Sequence, residues 1–216
     1  MMTLLPAGGP LRTFAERRDI RIAARAIASG DEAGLWPEEA AALGALRRER
    51  LQASGAARAL ARDLLATFGA PPRAIGRDAA GVPRWPPGFS GSLAHDDSHA
   101  LAAVARAEKV GALGVDIEPD ASLAQELMEL IATPAERARY GEDLLRRPAL
   151  FVIKEAVFKA LFPADRRFLE FHDIEVDLEA GSARARFGGR CAFAWESSAN
   201  AWESGAKICA LAARDD

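Results

Sequence analysis

The chain has 216 residues, a formal charge of −3, 50% hydrophobic and 27% charged residues, a mix that excludes wholesale disorder. No apolar run approaches the roughly 20 residues of a membrane span, and the two cysteines, Cys191 and Cys209, form neither a disulfide framework nor a metal-spacing motif. The 48 Ala and 24 Arg reflect a compositional bias that makes most arginines uninformative, whereas the four lysines, Lys109, Lys154, Lys159 and Lys207, stand out.

In chain order, residues 1–12 lack a charged start followed by a long apolar stretch, so no secretory signal is expected and a cytoplasmic setting is the simplest. Trp36-Pro37-Glu38-Glu39 reads as a helix entry, with proline in the first turn and acids at the positive dipole end, and the pattern runs on toward Arg50. Ala57, Leu60, Ala61, Leu64, Leu65 and Phe68 lie on one helical face closed by Gly69 and Pro71. Residues 71–90 are rich in Pro and Gly and read as loop. Strands are expected at 91–95, 100–106 and 113–118. Thr133-Pro134-Ala135-Glu136 is a capping box opening a helix to about Leu145. A further helix is expected from about Pro148 to Phe162, stopped by Pro163, followed by strands at 174–178, 183–187, 191–195 and 207–212. Helices followed by strands, twice, predict an α+β protein of two similar-sized halves meeting near residues 107–112.

Charge is divided along the same line. Residues 1–107 carry 14 basic and 11 acidic residues, and residues 108–216 carry 14 basic and 20 acidic. A basic half and an acidic half suit a ligand bearing phosphates plus a cation, although an uneven solvated surface gives the same count.

Three clusters carry chemistry. In Gly114-Val115-Asp116-Ile117-Glu118, strand alternation puts Asp116 and Glu118 on one face, a carboxylate pair suited to Mg²⁺, although the spacing alone favours two exposed acids at a strand end. In Phe151-Val-Ile-Lys154-Glu155-Ala-Val-Phe158-Lys159, Glu155 and Lys159 are one turn apart beside a core-facing stripe. Gly91-Ser-Leu-Ala-His95 ends a strand on a histidine.

Their order and spacing resemble the 4′-phosphopantetheinyl transferase superfamily. Arg58 and Ala61-Arg62 resemble its Gly-Arg…Ala-Arg helix, and Pro83-Arg84-Trp85-Pro86 followed by Gly-Ser-Leu resembles the Pro-x-Trp-Pro…Gly-Ser-Ile segment of the enterobactin-synthetase type. Thr133-Pro134…Glu136 and Phe168-Leu-Glu-Phe171 have counterparts as well, so that the resemblance spans residues 37–212. Two positions depart from it: Ala94 stands where the family has Ser or Thr, and Ala57 where it has Gly.

The resemblance implies two similar α/β halves in a pseudo-twofold arrangement, residues 1–108 on the nucleotide side and 109–216 on the metal side, with the active site between them. It implies transfer of the phosphopantetheine arm of coenzyme A to a serine of an apo acyl or peptidyl carrier protein, releasing adenosine 3′,5′-bisphosphate. Asp116, Glu118 and Glu155 would hold Mg²⁺ or Mn²⁺, and Glu155 or a metal-bound water would take the serine proton. Lys159 and Lys154 would counter the diphosphate, His95 would bond a nucleotide phosphate, and Arg58, Arg62, Arg77 and Arg84 are candidates for the 3′-phosphate and adenine side. Being longer than the family's short trimeric type, the chain is expected to be a monomer. The competing classes are an Arg-rich nucleic-acid-binding module, disfavoured by the net charge of −3, and a Mg²⁺-dependent phosphohydrolase, for which no separate water-positioning base is evident.

Overall fold

Residues 99–105 are buried without interruption, the mark of a strand covered on both faces. This strand, β3 (His99–Arg106), is the centre of an antiparallel three-stranded sheet, flanked by β1 (Arg21–Ala26) and β2 (Phe89–His95). Ala102 and Val104 pack on one side against helix α3 (Arg48–Thr67), while Leu101, Ala103 and Ala105 enter a second core. The structure is a computed structural model describing residues 8–121, 123–144, 146–198 and 205–215.

The second sheet is antiparallel in the order β4 (Leu113–Pro119), β8 (Lys207–Asp215), β7 (Arg190–Ser198), β6 (Ser182–Ala185), β5 (Ile174–Asp177). Helix α6 (Arg146–Asp165) packs on one of its faces. Leu113, Val115 and Ile117 of β4 turn the other way and share a core with β3 and with helix α1 (Pro10–Arg17). Strands β2 and β4 are the facing edges of the two sheets. There the N–H of Val115 donates to the Ser92 hydroxyl at 3.1 Å, so a side chain satisfies a buried edge group that no strand pairs. The fold is thus α+β with two sheets, as the sequence predicts, and every expected strand is present within a few residues.

Four differences have physical causes. The helix expected from Pro37 toward Arg50 is broken at Gly44, whose φ of 67° ends α2 (Pro37–Leu43), and α3 begins anew at Arg48. Pro163 does not stop α6. It lies inside the last turn, where it withholds the N–H that would bond the carbonyl of Lys159, and the helix ends instead at Arg166 (φ 51°), whose N–H donates to Phe162 O at 2.9 Å. The capping box forms as expected, with Glu136 N donating to Thr133 Oγ1 at 3.2 Å and Thr133 N to Glu136 Oε2 at 2.7 Å, but α5 (Pro134–Tyr140) is short, and Leu145 lies outside the described residues, as do residues 1–7. The short α1, β1 and α4 (Gln125–Ile131), of six to eight residues each, are shorter than the stretch over which periodicity is read and escape sequence reasoning. Among the described residues no helix is long and apolar enough to cross a membrane.

Candidate active site

The alternation of β4 that buries Val115 and Ile117 sends Gly114, Asp116 and Glu118 to the opposite face, toward α6. Gly114 is what brings the helix close. A Cβ there would stand 1.9 Å from Ala156 O and 2.6 Å from Ala160 N, so only glycine admits the backbone of α6 at this distance. The helix then presents Glu155 and Lys159, one turn apart, alongside the two strand carboxylates. His95 arrives from the end of β2 and Arg50 from the first turn of α3. These six side chains, with Leu93, Ala94 and Phe151, line an open cavity of about 380 Å³.

The electrostatics are unbalanced. Lys159 Nζ donates to Asp116 Oδ1 at 2.6 Å, but Asp116 Oδ2 is buried with no hydrogen-bond partner. Burial pushes the Asp116 carboxyl up, against the pull of Lys159. Glu118 is pushed up to about 7, first by burial and then by the charges of Asp116, Asp96 and Glu155, with Lys159 opposing. Glu155 is raised by burial and by Asp116. Three crowded carboxylates share one ammonium, a deficit that a divalent cation would relieve. Among the described residues no three His, Cys, Asp or Glu side chains form a ready-made metal cage. Mg²⁺ does not require one, because it keeps several waters and takes one or two carboxylates plus substrate phosphates. The orphaned Asp116 oxygen and the acidic donor set fit that pattern.

Burial, and then the positive charges of Arg50 and Lys159, push the His95 imidazole below its ordinary value, with the Asp96 backbone pulling the other way. His95, Lys159 and Leu93 also line a larger cavity of about 660 Å³, bounded by Trp85, Phe89, Phe158, Phe162 and Phe168. Trp85 lies against Gly91, where a Cβ would come within 2.5 Å of the indole. The whole is a two-lobed cleft, polar at one end and aromatic at the other, with a cation and an imidazole at the junction.

Of the sequence candidates, Asp116, Glu118, Glu155, Lys159 and His95 meet in the polar lobe. Arg58 and Arg77 line the aromatic lobe. Arg58 commits Nε to Ile75 O (2.8 Å) and Nη1 to Ser54 O (3.3 Å), and Arg77 donates to the carbonyls of Ala42 (3.0 Å) and Leu43 (3.1 Å). The structure does not bring the other three to the cleft. Arg62 is drawn away by the fully buried Glu39 (2.7 and 2.8 Å) and by Gly34 O (2.7 Å), and it stacks on Trp36. Lys154 is fully buried between Glu136 Oε2 (2.6 Å), Ile131 O (2.9 Å) and Phe171 O (2.9 Å). Arg84 is exposed and lines neither lobe. Sequence reasoning missed Arg50. Its signal was present, since Arg50, Ser54 and Arg58 repeat every fourth residue on one face of α3, but it required the helix to begin before residue 50. Arg48, Arg58 and Arg62 of that helix are each tied to protein oxygens.

Comparison with known proteins bears on the same segments. Residues 37–105 match a family model described as the 4′-phosphopantetheinyl transferase N-terminal domain, and residues 112–212 match the 4′-phosphopantetheinyl transferase superfamily. The chain is 37% identical over 160 residues to 4′-phosphopantetheinyl transferase Svp of Streptomyces mobaraensis, covering 70% of this chain and 65% of that protein. It is 39% identical over 132 residues to 4′-phosphopantetheinyl transferase Npt of Nocardia iowensis (59% and 60%) and 35% over 153 residues to 4′-phosphopantetheinyl transferase PptT of Mycobacterium tuberculosis (68% and 66%). The matches thus span 60–66% of the relatives' own lengths. With β2, the carboxylate strand β4 and the Lys-Glu helix α6 inside the matched segments, the chain belongs to the 4′-phosphopantetheinyl transferase superfamily.

Proposed function

We propose that the chain transfers the 4′-phosphopantetheine arm of coenzyme A to a serine of an apo carrier domain, releasing adenosine 3′,5′-bisphosphate. It would act as a cytoplasmic monomer with a nucleotide-side half, residues 1–108, and a carboxylate-side half, residues 109–216. The observation that carries this reading is the polar lobe itself, where Asp116, Glu118 and Glu155 crowd around a buried, unpartnered Asp116 oxygen.

Asp116 and Glu118, with Glu155 beside them, would hold Mg²⁺, which when bound polarises the attacked phosphorus and stabilises the leaving phosphate. Lys159, already on Asp116, is placed to neutralise charge on the diphosphate. His95 and Arg50, which line the same lobe as the carboxylates, would bind phosphate oxygens of the nucleotide, Arg50 by its two-pronged guanidinium. Glu155 is the proton acceptor for the incoming serine hydroxyl, and burial raises its basicity toward that task. The two lobes then divide coenzyme A at its diphosphate. Arg62, Lys154 and Arg84 take no part.

The test is to incubate the purified chain with coenzyme A, Mg²⁺ and a panel of apo carriers and to weigh the carriers by mass spectrometry. A gain of one phosphopantetheine is expected, and no gain across the panel would reject the reading. Asp116→Ala and Glu155→Ala should each slow transfer by about 100-fold or more, and near-normal rates would remove them from the site.

A further inference from the structure

Beside the carboxylates a second buried charge pair crosses between the two sheets. Lys207 opens β8 and Asp96 directly follows β2. They are 5% and 9% exposed, and Lys207 Nζ donates to Asp96 Oδ2 across 111 residues of sequence. The other oxygen, Asp96 Oδ1, accepts the N–H groups of Ser98 and His99, each at 2.7 Å, and the Ser98 hydroxyl at 3.0 Å. One carboxylate therefore closes the turn between β2 and β3 and ties that turn to the opposite sheet.

The register places this tie next to the site. In the β4–β8 ladder Glu118 faces Ile208 and Pro119 faces Lys207. On the other sheet, Asp96 directly follows His95 at the end of β2. Because β2 and β4 belong to different sheets, no ladder sets the separation of His95 from Glu118. The Ser92–Val115 bond lies three residues back along β2. Taking two charges out of water is expensive, and apolar residues of the same volume often serve stability as well, so a buried pair at this seam calls for a role beyond stability.

We propose that Lys207 is a positioning residue, which acts through Asp96 to fix where His95 stands relative to Asp116 and Glu118. The kinetic part of this inference rests on the transfer reaction proposed above. The structural part does not.

Lys207→Met removes the charge and keeps most of the stem, and Asp96→Asn keeps the turn acceptor and loses the pair. In protein labelled at the histidine rings, both variants should shift the His95 resonances while those of His172 stay in place. In the transfer assay the KM for coenzyme A should rise roughly 10- to 100-fold with a smaller change in kcat, and Lys207→Met should add nothing further in a His95→Gln background. A role in stability alone would lower the melting temperature while leaving the His95 resonances and KM of the folded enzyme unchanged, and that outcome overturns the proposal. If a single variant melts below the assay temperature, the Asp96→Asn/Lys207→Met double variant, which buries no unpaired charge, gives the same readouts. The resonance measurement needs no substrate. A chain that modifies no carrier overturns the transfer reaction and not this inference, whereas unmoved His95 resonances overturn the inference whatever the kinetics.

Discussion

Lys154 and Lys159 lie five residues apart on α6, which turns them about 140° from each other around the helix. Lys159 is part-exposed and reaches Asp116. Lys154 is sealed in, with all three ammonium donors on protein oxygens. Its contribution is therefore expected in stability. Lys154→Ala leaves Glu136, 2% exposed, without its ammonium partner, and breaking a buried pair in this way costs about 3–5 kcal/mol. Denaturant melts should show that loss, while kcat/KM of the remaining folded enzyme, measured well below the melting temperature, stays within about threefold of wild type. A large fall in kcat/KM with normal stability would return Lys154 to the site. The spacing of the Lys-Glu helix reveals that charge borders the core, but not which lysine faces the cleft. That is decided by Glu136, 18 residues away and already engaged in a capping box.

At the scale of elements, the site depends on how closely α6 lies against β4. The carboxylates could be read from Gly114-Val-Asp-Ile-Glu because strand periodicity alone puts Asp116 and Glu118 together. The need for glycine at 114 could not, since it comes from a helix 42 residues downstream whose Ala156 carbonyl occupies the space of a Cβ. Gly114→Ala must push α6 outward, because the obstacle is backbone and cannot rotate aside. Overpacking of this kind costs about 1–3 kcal/mol, and the 2.6 Å contact of Lys159 with Asp116 should open with it. Transfer activity is expected to fall by more than tenfold even at temperatures where the variant is folded. Gly76→Ala is the matched control, since a Cβ at Gly76 meets nothing within 4 Å, and it should leave both melting temperature and rate near wild type. Equal losses in the two variants would show that the close approach is not what sets the site.

For the whole molecule, the charge split visible in the sequence marks the two sides of the seam, but its titration behaviour follows from burial. Asp96 alone would be raised by burial. The Lys207 ammonium and the N–H groups of Ser98 and His99 outweigh that and hold it below the ordinary carboxylate range. Its contribution to stability is present above the unfolded value of about 3.9 and is lost as pH falls through the lower folded value. Glu118 acts in the opposite sense. Its folded value, raised to about 7, makes its contribution complete below the unfolded value of about 4.3 and lost as pH rises through 7. Asp116 and Glu155, raised by burial, add to that alkaline loss. In chelator the protein should therefore be most stable between about pH 4 and 6, below neutrality. Thermal melts from pH 3 to 9 read this directly. Glu118→Gln should flatten the alkaline limb and melt higher than wild type at pH 8, and Asp96→Asn should flatten the acid limb while melting lower at pH 6. Mg²⁺ added at pH 7.5 should stabilise wild type more than Glu118→Gln, because a ligand of the native state raises the melting temperature only as far as its site is intact. A stability maximum above pH 7 in chelator would mean that the three carboxylates do not repel one another as their burial requires, and the cation deficit at the centre of the cleft would not exist.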